Sequence, residues 1–126
     1  MRIIFDTYAW IEYFRGSEQG KIVKQYLEGH EVITPVVVLL ELSYRAKQEA
    51  WDIRKYVNFI KIHSSIIGIN DKIILEFGKI YYETKNRVKD IGFVDILILT
   101  MAVIENAKIL TGDEHFKSFE QTIFLN

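Results

Sequence analysis

The chain has 126 residues, enough for one domain over 1–126 and too few for two. With 49% hydrophobic, 13% aromatic and 26% charged residues, it has the composition of a packed globule, which excludes a disordered segment. Sixteen basic against seventeen acidic residues give a formal charge of −1, so no molecule-wide field draws it to nucleic acid or anionic lipid. Any polyanion would have to bind a local patch.

The first strand is expected at "RIIF" (2–5), followed by a helix over "TYAWIEYFR". A second helix, "EQGKIVKQYLEG", ends on Gly29, which suits the residue just past a helix end. "EVIT" (31–34) is the second strand, and Pro35 suits the first turn of the helix carrying Glu41. Another helix, "AWDIRKYVNFIKI", precedes a third strand at "SIIGI" (65–69). "DKIILEFGKIYYETKNRVK" forms a long amphipathic helix, and "FVDILILTMAVIENA", apolar almost all round, forms the buried one. "KILT" (108–111), a short helix at "DEHFKSF" and "TIFL" (122–125) complete the chain. Strands alternating with helices, and lacking the strict alternation of a half-wet sheet, predict an α/β fold with a parallel sheet covered on both faces.

The absence of cysteine excludes disulfides and thiolate metal sites and suits a reducing cytoplasm. "MRIIFD" lacks the features of a signal peptide, and the longest uncharged apolar stretch is too short to cross a bilayer. These features predict a cytoplasmic protein without a membrane partner.

In an open parallel sheet, sites form outside the carboxyl ends of the strands. Asp6 ends the first strand, Asp113 follows the fourth, Asp95 opens the buried helix, and Glu41 lies about two turns into the helix after the second strand. Each aspartate would also suit a helix start, as an N-cap or as compensation for the helix dipole. Glu41 shares a helical stripe with Val37 and Tyr44, and its simplest alternative is an i,i+4 pair with Arg45. Four clustered carboxylates repel one another, and a divalent cation removes that penalty. Oxygen ligands of this kind suit Mg²⁺ or Mn²⁺ and phosphoryl-transfer chemistry.

The four stretches "RIIFDT", "TPVVVLLEL", "GFVDILIL" and "ILTGDEHF" resemble, in order and spacing, a PIN domain, most closely the VapC-type toxin ribonucleases of VapBC toxin–antitoxin pairs. The resemblance covers essentially the whole chain. It implies an α/β/α sandwich with a five-stranded parallel sheet and Mg²⁺- or Mn²⁺-dependent cleavage of RNA to a 3′-hydroxyl and a 5′-phosphate. It also implies that Asp6, Asp95 and Asp113 hold the metal. Glu41 is then a fourth ligand or the orienter of the attacking water, and Thr7, which follows the first aspartate, and Thr111 are supporting hydroxyl residues of the site. A VapB-like antitoxin, contributing an apolar helix, and a homodimer are implied as partners. The family pattern is departed from in two places: Gly112 stands where a polar residue is usual, and Leu97 and Leu99 are bulkier than the small residues common after the third acid.

RNA would be gripped by basic side chains, with Arg15, Arg45 and Arg54 as candidates and Lys47 and Lys55 nearby. Trp10, Tyr13 and Trp51 are candidates for base stacking. His30, His63 and His115 lack ligand spacing such as i,i+4 and call for no functional account. Two other readings compete. A phospho-receiver signalling domain has similar length and strand-end acids, with Asp71 closing the third strand, but it expects one helix where residues 36–62 offer two. A catalytically inactive PIN-like scaffold binding RNA or protein would not need all four acids.

Overall fold

A computed structural model describes residues 1–126. In chain order the elements are β1 (Arg2–Phe5), α1 (Thr7–Arg15), α2 (Glu18–Gly29), β2 (Glu31–Pro35), α3 (Val36–Glu49) and α4 (Ile53–His63). There follow β3 (Ser65–Ile67), α5 (Asp71–Arg87), α6 (Phe93–Glu105), β4 (Lys108–Thr111), a 3-10 turn (Glu114–Phe116) and β5 (Thr122–Phe124). All strand pairs are parallel, in the order β3-β2-β1-β4-β5. Helix contacts fall into two groups, α1 with α2 and α3 and α3 with α4, against α5 with α6, giving the expected sandwich.

The strands are short and apolar because both faces are covered. Ile3, Ile4 and Phe5 of β1 and Ile109 and Leu110 of β4 have no accessible surface. Helix α6 is buried from Ile96 through Ala102, as its all-round apolar pattern demands. Side-chain caps start the amphipathic helices: Ser17 accepts from the Gly20 N–H at α2 and Asn70 from the Ile73 N–H at α5. Gly29 does not end α2 in the left-handed conformation expected of it. The chain leaves α2 through an extended His30, and the left-handed residues are Gly16, Ala50 and Asn106, after α1, α3 and α6, with φ 65°, 58° and 50°.

β1 lies at the centre of the sheet. The chain winds outward from it through β2 and β3 on one side and through β4 and β5 on the other. The crevice at the carboxyl ends of β1 and β4 is therefore the switch point, where an open α/β sheet presents its ligands. The same order removes the phospho-receiver reading, whose fold has the order 2-1-3-4-5. Here β3 is an edge strand two positions from β1, and two helices separate it from β2. Asp71 is an exposed residue in the first turn of α5.

Candidate functional site

The register fixes the centre of the site. Phe5 pairs with Leu110, so the next residues along, Asp6 and Thr111, are neighbours across β1 and β4. The buried Thr111 hydroxyl donates to Asp6 Oδ2, and the Ala9 N–H donates to Asp6 Oδ1 at 2.9 Å. Asp6 is thus an N-cap of α1 and a wall of the crevice at once, one oxygen serving each purpose. Thr111 Oγ1 also accepts from the Asp113 N–H at 3.0 Å, which holds the turn after β4 close to β1.

Asp113 caps the following 3-10 turn, accepting from the His115 N–H at 2.9 Å. The same oxygen lies 2.9 Å from His115 Nδ1. That nitrogen is 3.8 Å from Asp95 Oδ2, and His115 Nε2 is 3.5 Å from Asp90 Oδ2. One ligating atom from each of Asp95, Asp113 and His115 falls within 4.8 Å of the other two. Asp95 enters from the first turn of α6, and Glu41 from α3, where the Thr7 hydroxyl donates to Glu41 Oε1 at 2.6 Å.

Arg45 does not pair with Glu41; it bonds Glu49 at 3.1 Å instead. Nor does Glu41 lie within an apolar stripe, since Tyr44 is 66% exposed and the buried face of α3 is Val38, Leu42 and Ala46. The carboxylate sits on the flank of that face, turned toward the crevice.

Two carboxyls are strongly perturbed. Burial pushes the Asp6 pKa up from its ordinary 3.8 to about 7; the bonds from Thr111 and Ala9 oppose the rise, and the charges of Asp113 and Asp95 add to it. Burial likewise raises Asp95 to about 6, reinforced by Asp113 and Glu41 and opposed by His115. Desolvation pulls the His115 imidazole down, but Asp113, Asp90 and Asp95 together hold it above its usual range. The crevice therefore carries more negative charge than its surroundings compensate. A hard divalent cation fits that deficit, and a donor set made mostly of carboxylate oxygens fits Mg²⁺ or Mn²⁺.

The structure thus brings Asp6, Glu41, Asp95 and Asp113 into one electrostatically coupled group, with Thr7 and Thr111 bonded to two of its members. Arg15 and Arg45 line a hollow with Thr7, Tyr8, Ile11 and Glu12, directly beside Glu41. Arg54 is not among them. It lies on α4 beside Ile53, Val57 and Asn58. Trp10 cannot stack on a base: it is fully buried, edge-on to Phe5 and stacked on Phe14, with its indole N–H donated to Thr34.

Sequence reasoning missed His115. A search for paired ligands at helical spacing passes over Asp113-x-His115, whose side chains meet only because a 3-10 turn folds the imidazole back over the carboxylate. Gly112, which departs from the family pattern, has a local cause. A Cβ there would lie 2.3 Å from the Tyr8 ring, which covers this backbone while its hydroxyl donates to Gln19.

A parallel α/β sandwich with acids gathered at its switch point is the class of protein this geometry defines. Residues 3–121 match the family model described as PIN domain, and the chain belongs to that family. A curated relative, Ribonuclease VapC1 of Methanocaldococcus jannaschii, is 26% identical over 121 residues, spanning 95% of this chain and 82% of the relative. Among solved structures, VapBC2 from Rickettsia felis bound to a promoter DNA fragment superposes with a TM-score of 0.77 at 20% identity, covering 98% of this chain and 97% of that one. A toxin–antitoxin complex from Klebsiella pneumoniae gives 0.75 at 19% identity, covering 98% of each chain. At these identities the structural likenesses show the fold.

Proposed function

We propose that this chain is a divalent-metal-dependent endoribonuclease acting as the toxin of a type II toxin–antitoxin pair. The observation that carries the reading is the uncompensated carboxylate group at the switch point, where Asp6 and Asp95 are both held well above the ordinary carboxylate range. A cation makes such crowding tolerable. The ribonuclease relative and the toxin–antitoxin neighbours support RNA as the substrate and an antitoxin as the partner.

Asp6, Asp95 and Asp113 would hold Mg²⁺ or Mn²⁺, which would supply positive charge beside the reacting phosphate and lower the pKa of water there. The chain's own residues do the rest. Thr111 fixes one oxygen of Asp6, and the α1 N-terminus fixes the other, so that carboxylate is oriented before any ligand arrives. Thr7 holds Glu41 by one oxygen, leaving the second to accept a hydrogen bond from water and aim it at phosphorus. Water adds to phosphorus as the P–O3′ bond breaks, and O3′ leaves with a proton as a hydroxyl.

Arg15 and Arg45 would grip the phosphate backbone in the adjoining hollow. Their present partners, Glu12 at 3.8 Å and Glu49 at 3.1 to 3.6 Å, form partly exposed pairs worth at most about 1 kcal/mol each. RNA phosphates can replace such pairs. The apolar hollow of Ile69, Ile73, Ile74, Phe77, Phe93 and Leu97 supports docking of a protein, as a homodimer or an antitoxin would require. No helix is long and apolar enough to cross a membrane, and a cytoplasmic location accords with an RNA substrate.

The test is Asp95→Asn in the purified chain. Mg²⁺- or Mn²⁺-dependent cleavage of single-stranded RNA should fall at least about 100-fold while the circular dichroism spectrum stays native. Retained cleavage refutes the site. An inactive scaffold would differ at an earlier step, because its melting temperature should not rise with added Mg²⁺ or Mn²⁺.

A further inference from the structure

Around the proposed metal centre the structure places one group that the carboxylate account leaves unused, the imidazole of His115. Its two nitrogens face different surroundings. Nδ1 looks into the crevice, 2.9 Å from Asp113 Oδ1 and 3.8 Å from Asp95 Oδ2. Nε2 looks outward, 3.5 Å from Asp90 Oδ2. Ligand atoms at right angles around a Mg²⁺-sized ion stand about 3 Å apart, given bonds of roughly 2.1 Å. The 2.9 Å separation of Nδ1 from the Asp113 oxygen is of that order, and one ligand atom from each of Asp95, Asp113 and His115 lies within 4.8 Å of the other two.

The outward nitrogen strengthens the case. A histidine that binds a metal through one nitrogen usually offers the other N–H to a carboxylate, which sets the tautomer and the ring orientation. Asp90, in the turn before α6, stands where that carboxylate belongs. Its side chain is 84% exposed, so it orients the ring without a large energetic contribution. Without an ion, Nδ1 needs a proton to stand this close to a carboxylate oxygen. A divalent ion held by both groups would take over that role.

We propose that His115 Nδ1 is a nitrogen ligand of the divalent ion held at Asp95 and Asp113, oriented from behind by Asp90. The inference rests on the metal-centre reading above. A nitrogen donor changes the selectivity of the site. Mg²⁺ is a hard ion that favours oxygen, whereas first-row transition ions such as Mn²⁺ also accept imidazole.

The experiment loads the full-length chain with one equivalent of Mn²⁺ at pH 8 in a nitrogen-free buffer and records pulsed EPR modulation from ¹⁴N. Dissociation constants follow from free Mn²⁺ and from competition by Mg²⁺. Wild type should show coupling to a directly bound nitrogen. His115→Gln should lose that coupling and weaken Mn²⁺ about tenfold or more, with Mg²⁺ affinity changed less than about twofold. Stoichiometric Mn²⁺ binding without ¹⁴N coupling overturns the nitrogen ligand and leaves the carboxylate site standing. Coupling that persists in His115→Gln overturns it equally. If Mn²⁺ does not bind in a defined ratio, the metal centre itself is wrong and this inference falls with it.

Discussion

Replacing Asp6 with Asn should stabilise the ion-free protein at alkaline pH, although Asp6 is the most buried acid of the site. Asp6 is only 5% exposed, and its pKa rises from 3.8 to about 7 on folding. Because the folded value lies above the unfolded one, folding is unpenalised below pH 3.8, where both states hold the proton. Between 3.8 and about 7 the unfolded chain ionises first and stability falls with rising pH; above that the full cost stands. At about 1.4 kcal/mol per pH unit the cost is on the order of 4 kcal/mol, a large fraction of a small domain's stability. Asn keeps the cap on the Ala9 N–H with its carbonyl oxygen, and its amide can donate to Thr111 Oγ1, so the local geometry has a substitute for each bond. Urea unfolding at pH 4, 6 and 8, in chelator, measures the difference directly. Asp6→Asn should match wild type near pH 4 and exceed it by up to about 4 kcal/mol at pH 8. Added Mg²⁺ or Mn²⁺ should narrow the gap by stabilising wild type alone. A variant no more stable than wild type at pH 8, or offset equally at all three pH values, refutes the claim that the site carries uncompensated charge.

Two further expectations test the supports of the crevice. Thr111→Val removes a donor to Asp6 and an acceptor for the Asp113 N–H, which should cost about 2 kcal/mol in urea unfolding. It should also raise the Asp6 pKa further, because the lost bond is one that lowers it; a carbon-detected NMR titration reads this. Gly20→Ala would place a Cβ 2.0 Å from the Glu12 carbonyl oxygen, where α2 crosses α1 with no side chain between them. Backbone must move to admit it, and a loss of about 3 kcal/mol is expected by thermal or urea melting.

The alternation of elements was legible in the sequence because each carries its own period. The isoleucine-rich strands and the all-round apolar α6 could be little else once both sheet faces had to be covered. The strand order was not legible in the same way, since nothing local to β3 says whether it pairs with β1 or β2. It was not among the expectations drawn from the sequence, and the position of the switch point came only with the structure. Within the site, Asp6, Asp95 and Asp113 could be placed from strand ends and helix starts alone. Glu41 was found for a partly mistaken reason. The buried face of α3 is Val38, Leu42 and Ala46, not the stripe of Val37, Glu41 and Tyr44, so the carboxylate is tolerated beside the core and not within it. Arg54 looked equivalent to Arg45 in sequence, and only packing separates α4 from the crevice.

Capping was posed as the alternative to a metal-site role for each aspartate, and at Asp6 and Asp113 the geometry is compatible with both. Asp6 Oδ1 takes the α1 N–H while Oδ2 faces Thr111. Asp113 caps the 3-10 turn with the oxygen that also meets His115. A carboxylate free to rotate would spend entropy on every ligand it bound; one already fixed at a helix start does not. Helix dipoles add positive potential at Asp6 and Asp95, yet Asp6 still sits near 7, so the dipole does not supply the missing charge. That residual demand separates Asp6 from an ordinary cap. An ordinary cap is satisfied by the helix it begins, whereas Asp6 remains short of positive charge after every protein hydrogen bond to it has been made.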